Sequence, residues 1–140
     1  PSLERIAYSG VDDSGNRPGL RIVASTGGPS EQLTDVEGDA RPQWSPGGQY
    51  LVFTSEDRHG NWEIYRLDLN DRSILRMTTD PAQDVSPTVG PDGRTVAFLS
   101  DRSGTWAVWV MPLDGGDPTV LFSVRGGIQN WFDHSLQWIP

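Results

Sequence analysis

The sequence of 140 residues contains no cysteine, which excludes a disulfide framework and a thiolate metal site. No apolar run approaches the roughly 18 residues that a membrane-spanning helix needs, so no membrane span is predicted. Basic residues are also few: lysine is absent, and 11 arginines stand against 19 acidic residues, which gives a net charge of −8. Because such a field repels a phosphate backbone, nucleic acid is not expected as a partner.

Glycine and proline are abundant, at 16 and 11 residues, and they indicate many short elements joined by tight turns. One stretch is written twice: residues 41–55 (RPQWSPGGQYLVFTS) return 45 positions later as residues 86–100 (SPTVGPDGRTVAFLS). The offset aligns Phe53 with Phe98 and sets a Gly-Gly turn against an Asp-Gly turn. A repeat of this length makes the repeat, and not the chain, the structural unit.

A third, fainter copy precedes these two, and a fragment of a further copy ends the chain. Residues 6–8 match 51–53, and the final LQWIP of 136–140 repeats the PQWSP of 42–46. Each copy holds four short segments rich in aromatic and β-branched residues, as strands are. In the middle copy these predicted strands are 42–45, Tyr50–Ser55, 62–68 and 74–78. Four antiparallel strands in about 40–50 residues predict an all-β protein built of β-propeller blades.

The repeat resembles the WD-like β-propeller repeat of TolB-type proteins. Their blades carry a Pro-x-Trp-Ser-Pro-Asp-Gly start and a Phe-x-Ser-Asp-Arg strand end, and the likeness covers nearly the whole chain. This sequence departs from the pattern at Gly47, where Asp is usual, and at Val89 and Gly90, where Trp and Ser are usual. The resemblance implies six blades in a closed ring, a periplasmic or other extracytoplasmic location and a role in protein–protein interaction.

The repeat divides the single unit 1–140 into blades at approximately 1–40, 41–85 and 86–134, followed by a closing strand at 135–140. The chain therefore starts at the second strand of its first blade and stops after the first strand of a blade that it does not complete. Three blades are too few to close, since propellers have about four to eight. An open arc would also expose two sheet faces and an unpaired edge, which favour aggregation.

We therefore predict a homodimer in which two three-blade chains form one six-bladed propeller. Residues 136–139 of each chain would pair with residues 6–9 of the other. The alternative is that the chain is a piece of a longer propeller. The predicted interface comprises Ile6, Tyr8, Trp131, Phe132, Leu136 and Trp138. Trp131 and Phe132 lie in the longest deviation from the blade pattern, where they could anchor a partner, plug the channel end or pack at the junction of the two chains.

Three aspartates recur at one place in the repeat: Asp39, Asp84 and Asp133 each stand three positions before the residue that opens an innermost strand. Each could cap the turn that leads into its strand. Alternatively, the six carboxylates of a dimer could form a ring that binds a cation or a basic peptide in the channel. The Asp-Arg pairs at 57–58 and 101–102 are predicted to be local ion pairs.

No motif of an enzyme appears in the sequence. A Gly-x-Ser-x-Gly elbow is missing, and neither His59 nor His134 has another histidine at ligand spacing, so no catalytic residue, metal site or cofactor is predicted. The predicted function is a non-enzymatic TolB-like scaffold for protein–protein interaction. Two alternatives are a gating or substrate-binding propeller from a larger enzyme, such as a prolyl-oligopeptidase-like peptidase, and a propeller that binds a cation or sugar.

Overall fold

The structure, a computed structural model, describes residues 4–139. Residues 1–3 of the first predicted repeat and Pro140 of the predicted closing strand lie outside it. Within the described part, eleven strands and one 3₁₀ turn are present. They are β1 (Arg5–Gly10), β2 (Gly19–Ala24), β3 (Glu31–Gln32), β4 (Ala40–Trp44), β5 (Tyr50–Ser55), β6 (Glu63–Asp68), β7 (Ile74–Arg76), β8 (Asp84–Val89), β9 (Thr95–Ser100), β10 (Ala107–Pro112), β11 (Thr119–Ser123) and the 3₁₀ turn Trp131–Asp133.

The strands form three antiparallel sheets, each built from consecutive strands of the chain. The described first sheet has the order β1-β2-β3, the second β4-β5-β6-β7 and the third β8-β9-β10-β11. The prediction of an all-β chain of antiparallel sheets is confirmed, and the four predicted strands of the middle copy are present with ends shifted by up to two residues. Within residues 4–139 the first sheet has no counterpart of β4 and β8.

β4 is the inner edge strand of the second sheet and β8 that of the third. The two strands lie side by side. Both strands carry a bulge at the same place in the repeat, where Arg41 and Ser86 adopt positive φ angles of 54° and 53°. A bulge redirects the side chain at its extra residue. Here the Ser86 hydroxyl donates to the carbonyl of His134 at 3.1 Å, and the Arg41 guanidinium donates to the carbonyls of Phe132 and His134. The two bulges therefore hold the segment that follows the third sheet against the inner edge.

Two apolar layers join the sheets in the order of the chain. Phe53 packs in the layer between the first and second sheets, and its repeat counterpart Phe98 packs in the layer between the second and third. Leu51 and Val96 are a second such pair, and all four side chains are fully buried. The same repeat positions thus make each layer, on the sheet face that is turned toward the preceding sheet.

Candidate functional site

Among the described residues, one face of the first sheet has no other sheet packed on it. In the repeat, Ile6 and Tyr8 of this face correspond to Leu51 and Phe53, which are both fully buried, yet Ile6 is 52% exposed and Tyr8 is partly exposed. Val23 lies beside Ile6 on the neighbouring strand. We call Ile6, Tyr8 and Val23 the open face of the first sheet, because they occupy positions that the other sheets bury.

The third sheet has an outer face at the other end of the stack, formed by Ala97, Val108 and Phe122 and here called the open face of the third sheet. Ala97 and Val108 are buried, and the exposed apolar surface comes from the edge strand. Phe122 of the edge strand is 59% exposed, and its neighbours Val120 and Leu121 are more than half exposed. A groove of about 190 Å³ runs between this face and the residues that end the chain. The stack of sheets therefore ends in an apolar surface on both sides.

Residues 135–139, here called the closing segment, lie along the open face of the third sheet. Leu136 packs against a cluster that includes the buried Val85 and Leu99, and Trp138 lines the groove beside Ala97. Within the described residues the closing segment forms no strand. Its predicted pairing with a second copy stays a prediction.

An aromatic cluster lies immediately before the closing segment. Trp131 is buried and stacks on Phe132 with ring centroids 3.9 Å apart, while Trp62 meets Trp131 edge to face at 4.7 Å. The Arg41 guanidinium lies 5.4 Å from the Trp131 ring centroid, a cation–π distance. The sequence identified Trp131 and Phe132 but missed Trp62 and Arg41, because their contacts depend on the bulge and on the loop before β6. Trp131 packs within its own chain, whereas Phe132 is 50% exposed.

Asp39 and Asp84 are fully buried, and each is paired with an arginine of its own sheet. Asp39 accepts two bonds from Arg58, at 2.8 Å from Nε and 2.6 Å from Nη2, and Asp84 accepts one from Arg102 Nη2 at 2.6 Å. The prediction that these arginines pair with the preceding residues 57 and 101 is wrong. These carboxylates accept from arginine side chains and not from the turns that they were expected to cap.

The third aspartate has a different environment. Asp133 is exposed in the 3₁₀ turn and accepts a hydrogen bond from the Asn130 side chain at 3.0 Å. Asp39 and Asp84, in contrast, are already neutralised by a positive charge, so a cation or basic peptide would have to compete with Arg58 and Arg102. Binding by these carboxylates stays a prediction.

The remaining candidate groups serve the fold. His59 Nδ1 lies 2.7 Å from the hydroxyl of Tyr65, and burial raises the pKa of that tyrosine. In residues 4–139, no group of three or more histidine, aspartate or glutamate side chains is arranged to hold a metal ion. No helix in that part of the chain is long and apolar enough to cross a membrane.

Comparison with known proteins gives this architecture a family. The family model of the TolB β-propeller domain matches residues 1–132. The chain belongs to this family. It is 28% identical over 116 residues to a TolB homolog of Chlorobium luteolum, a match that covers 83% of this chain and 26% of that protein. The crystal structure of TolB from Acinetobacter baumannii is similar in fold, with a TM-score of 0.67 at 22% identity, over 86% of this chain and 33% of that one.

The TolB-type fold also occurs in a protein that is named as a protease. The β-propeller domain of the Trilobed protease from Pyrococcus furiosus has a TM-score of 0.67 at 17% identity, over 90% of this chain and 41% of that one. The TolB-type chain thus spans between a quarter and two fifths of the length of these three proteins. Its fold is shared with longer chains.

Proposed function

We propose that this TolB-type chain is a non-enzymatic scaffold for protein–protein interaction, and that two copies join head to tail as one six-bladed propeller. The pair of open faces at the ends of the stack supports this. Ile6 and Tyr8 stand at positions that are fully buried in the second and third sheets, and Phe122 leaves a large apolar ring exposed on the third. Head-to-tail contact would bury both faces, and a two-fold axis would close the ring.

The scaffold role is supported by what the polar groups of the repeat do. Asp39 and Asp84 neutralise arginines within single sheets, and His59 bonds to Tyr65, so these groups stabilise blades. Rigid blades leave loops and faces for recognition, which is how propellers serve as binding proteins. No cofactor is needed for such a role.

The test is the mass of the particle in dilute solution, measured by sedimentation equilibrium. We expect twice the chain mass of 15.4 kDa. Ile6→Glu, which places a charge on the open face of the first sheet, should give the single-chain mass. The matched control is Val11→Glu, since Val11 is an exposed apolar residue of the following loop, at 46% against 52% for Ile6. A wild-type chain that stays at 15.4 kDa would contradict the homodimer.

A second candidate is the propeller part of a larger enzyme that gates or binds its substrate. The likeness to a protease propeller favours it, because the chain spans only 41% of that domain and a longer chain could close the ring with its own blades. The complete reading frame of the gene decides between the two: a hydrolase segment would overturn the scaffold proposal. A propeller that binds a cation or a sugar rests on the carboxylates alone, and Asp133 is the exposed one.

A further inference from the structure

We propose that Trp138 fixes the register of ring closure, by packing on Gly90 of its own third sheet and standing opposite Ile6 of a second copy. This inference rests on the proposed homodimer and adds the residues that would specify it. The partner is a second copy of this chain, and the surface is the closing segment with the open face of the first sheet.

The register follows from the pairing of β4 with β5. Trp44 stands opposite Leu51 and Gln43 opposite Val52. The closing segment repeats the sequence of β4, so Trp138 corresponds to Trp44, and β1 repeats β5, so Ile6 corresponds to Leu51. Antiparallel addition of the closing segment to β1 in the register of β4 on β5 therefore places Trp138 opposite Ile6.

The same correspondence explains the exposure of Ile6. Trp44 packs against the apolar layer in which Leu51 is fully buried. Ile6 has no such neighbour in the described chain and is 52% exposed. A tryptophan delivered by the closing segment of a second copy would cover it as Trp44 helps to cover Leu51.

The third sheet already holds Trp138 in place. A Cβ built on Gly90 would lie 3.3 Å from Trp138 Cζ2, so the indole ring lies close against the glycine. Ser45 occupies the corresponding position in the second sheet. The loss of the usual serine at position 90 thus gives Trp138 room to pack, and Trp138 remains 37% exposed for a further contact.

The predicted pairing of Ile6 with Trp138 of a second copy can be tested by replacing both residues with cysteine and looking for a disulfide between the chains. The Ser45 N–H donates to the Tyr50 carbonyl, so the next pair, Trp44 and Leu51, is a non-hydrogen-bonded pair, in which side chains lie closest. The chain has no cysteine that could interfere. In Ile6→Cys/Trp138→Cys, mild oxidation should join two chains covalently, because opposed Cα atoms in such pairs lie within disulfide range. The matched control Ile6→Cys/Gln137→Cys shifts one cysteine to the opposite side of the segment and should not cross-link.

Mass measurements complete the test. Trp138→Ala should weaken the dimer about tenfold or more, as loss of an aromatic anchor does, whereas Gln137→Ala should leave it unchanged. Circular dichroism verifies that each variant is folded. If the wild type and the double-cysteine variants are dimeric at the concentration used, a missing Ile6–Trp138 cross-link, or equal cross-linking in the control, would overturn the register and leave the ring proposal standing. A wild-type monomer, or a cross-link within one chain, would overturn both.

Discussion

At the scale of the residue, the two buried ion pairs occupy one position of the repeat but are not equivalent. Asp39 is held by both Nε and Nη2 of Arg58, whereas Arg102 gives only Nη2 to Asp84 because its Nε donates to the Ser100 hydroxyl. Asp84 Oδ1 consequently has no hydrogen-bond partner among the described residues. Burial raises the pKa of Asp84, and Arg102 opposes that shift.

Asp39→Ala is therefore expected to destabilise the fold more than Asp84→Asn at pH 7. The first change leaves the partly buried Arg58 without its counter-charge, at a cost of about 3 kcal/mol, because the guanidinium stays partly desolvated when its partner is removed. The second keeps an acceptor for Arg102 and removes a poorly satisfied charge, so it should cost about 1 kcal/mol. Urea unfolding measures both.

The pH dependence of the second variant has a defined sign. Because the pKa of Asp84 is raised in the folded chain, the folded state keeps a proton that the unfolded state loses above about pH 4. The contribution of Asp84 to stability therefore falls as pH rises from that value. The stability advantage of wild type over Asp84→Asn should shrink from pH 4 to pH 7, and an advantage that grows with pH would show that the pairing with Arg102 dominates.

These pairs could have been found in the sequence, but by a different signal. Adjacent residues of opposite charge suggested local pairs, yet the aspartate that Arg58 uses is 19 residues away and that of Arg102 is 18 residues away. An aspartate and an arginine recur together at nearly this spacing in both strong copies. Recurrence of a spacing is the better guide in a repeat, since each blade folds back on itself in the same way.

At the scale of the element, the first hairpins of the second and third sheets satisfy one backbone N–H with different residues. Ser45 Oγ accepts from the N–H of Tyr50 at 3.0 Å, and Asp92 Oδ1 accepts from the N–H of Thr95, the counterpart of Tyr50, at 3.1 Å. Where serine is present the second residue of the turn is Gly47, and where aspartate is present the serine position is Gly90. Each hairpin of this chain thus keeps one of the two acceptors that the family pattern carries together.

Substitutions at positions 90 and 92 should show that the effects of these two residues on stability depend on each other. Gly90→Ser alone should lower stability by at most about 1 kcal/mol, because a Cβ there lies 2.9 Å from Asp92 Oδ1, and that oxygen would have to shift while it accepts from two backbone N–H groups. Asp92→Gly alone should cost a similar amount, since it removes the acceptor for the N–H groups of Arg94 and Thr95. The double variant recreates the Ser45–Gly47 arrangement and should cost less than the sum, as a double-mutant cycle in urea would measure. Additive losses would contradict a shared role.

The elements themselves were largely predictable, and their irregularities were not. Segments rich in aromatic and β-branched residues, set between turn residues, located every strand of the middle copy to within two residues, because such side chains fit the buried faces of a strand. Nothing in the composition marks Arg41 and Ser86 as left-handed residues, since positive φ is rare in residues other than glycine. The bulges, and with them the position of Trp131 and the closing segment, depend on contacts between distant parts of the chain.

At the scale of the whole molecule, the described residues form a stack in which each sheet packs against the sheet that precedes or follows it in the sequence. A repeat sequence predicts the number and order of such units well, because every layer is built from the same positions. It does not by itself predict what covers the end faces. Ile6 and Phe122 are exposed, although the residues that correspond to Ile6 in the second and third sheets, Leu51 and Val96, are fully buried. Only contact with a further surface would bury Ile6 and Phe122.

If that surface is a second copy, thermal stability must depend on protein concentration, because association stabilises only the folded chains. Unfolding of the full dimer, with an enthalpy of about 0.7 kcal/mol per residue, predicts a fall in Tm of about 2–3 °C for each tenfold dilution. Ile6→Glu should remove this dependence and Val11→Glu should keep it, since only Ile6 belongs to the open face of the first sheet. Tryptophan fluorescence during heating, at concentrations a hundredfold apart, measures the effect. A wild-type Tm that does not change with dilution would mean that the open faces stay uncovered in solution.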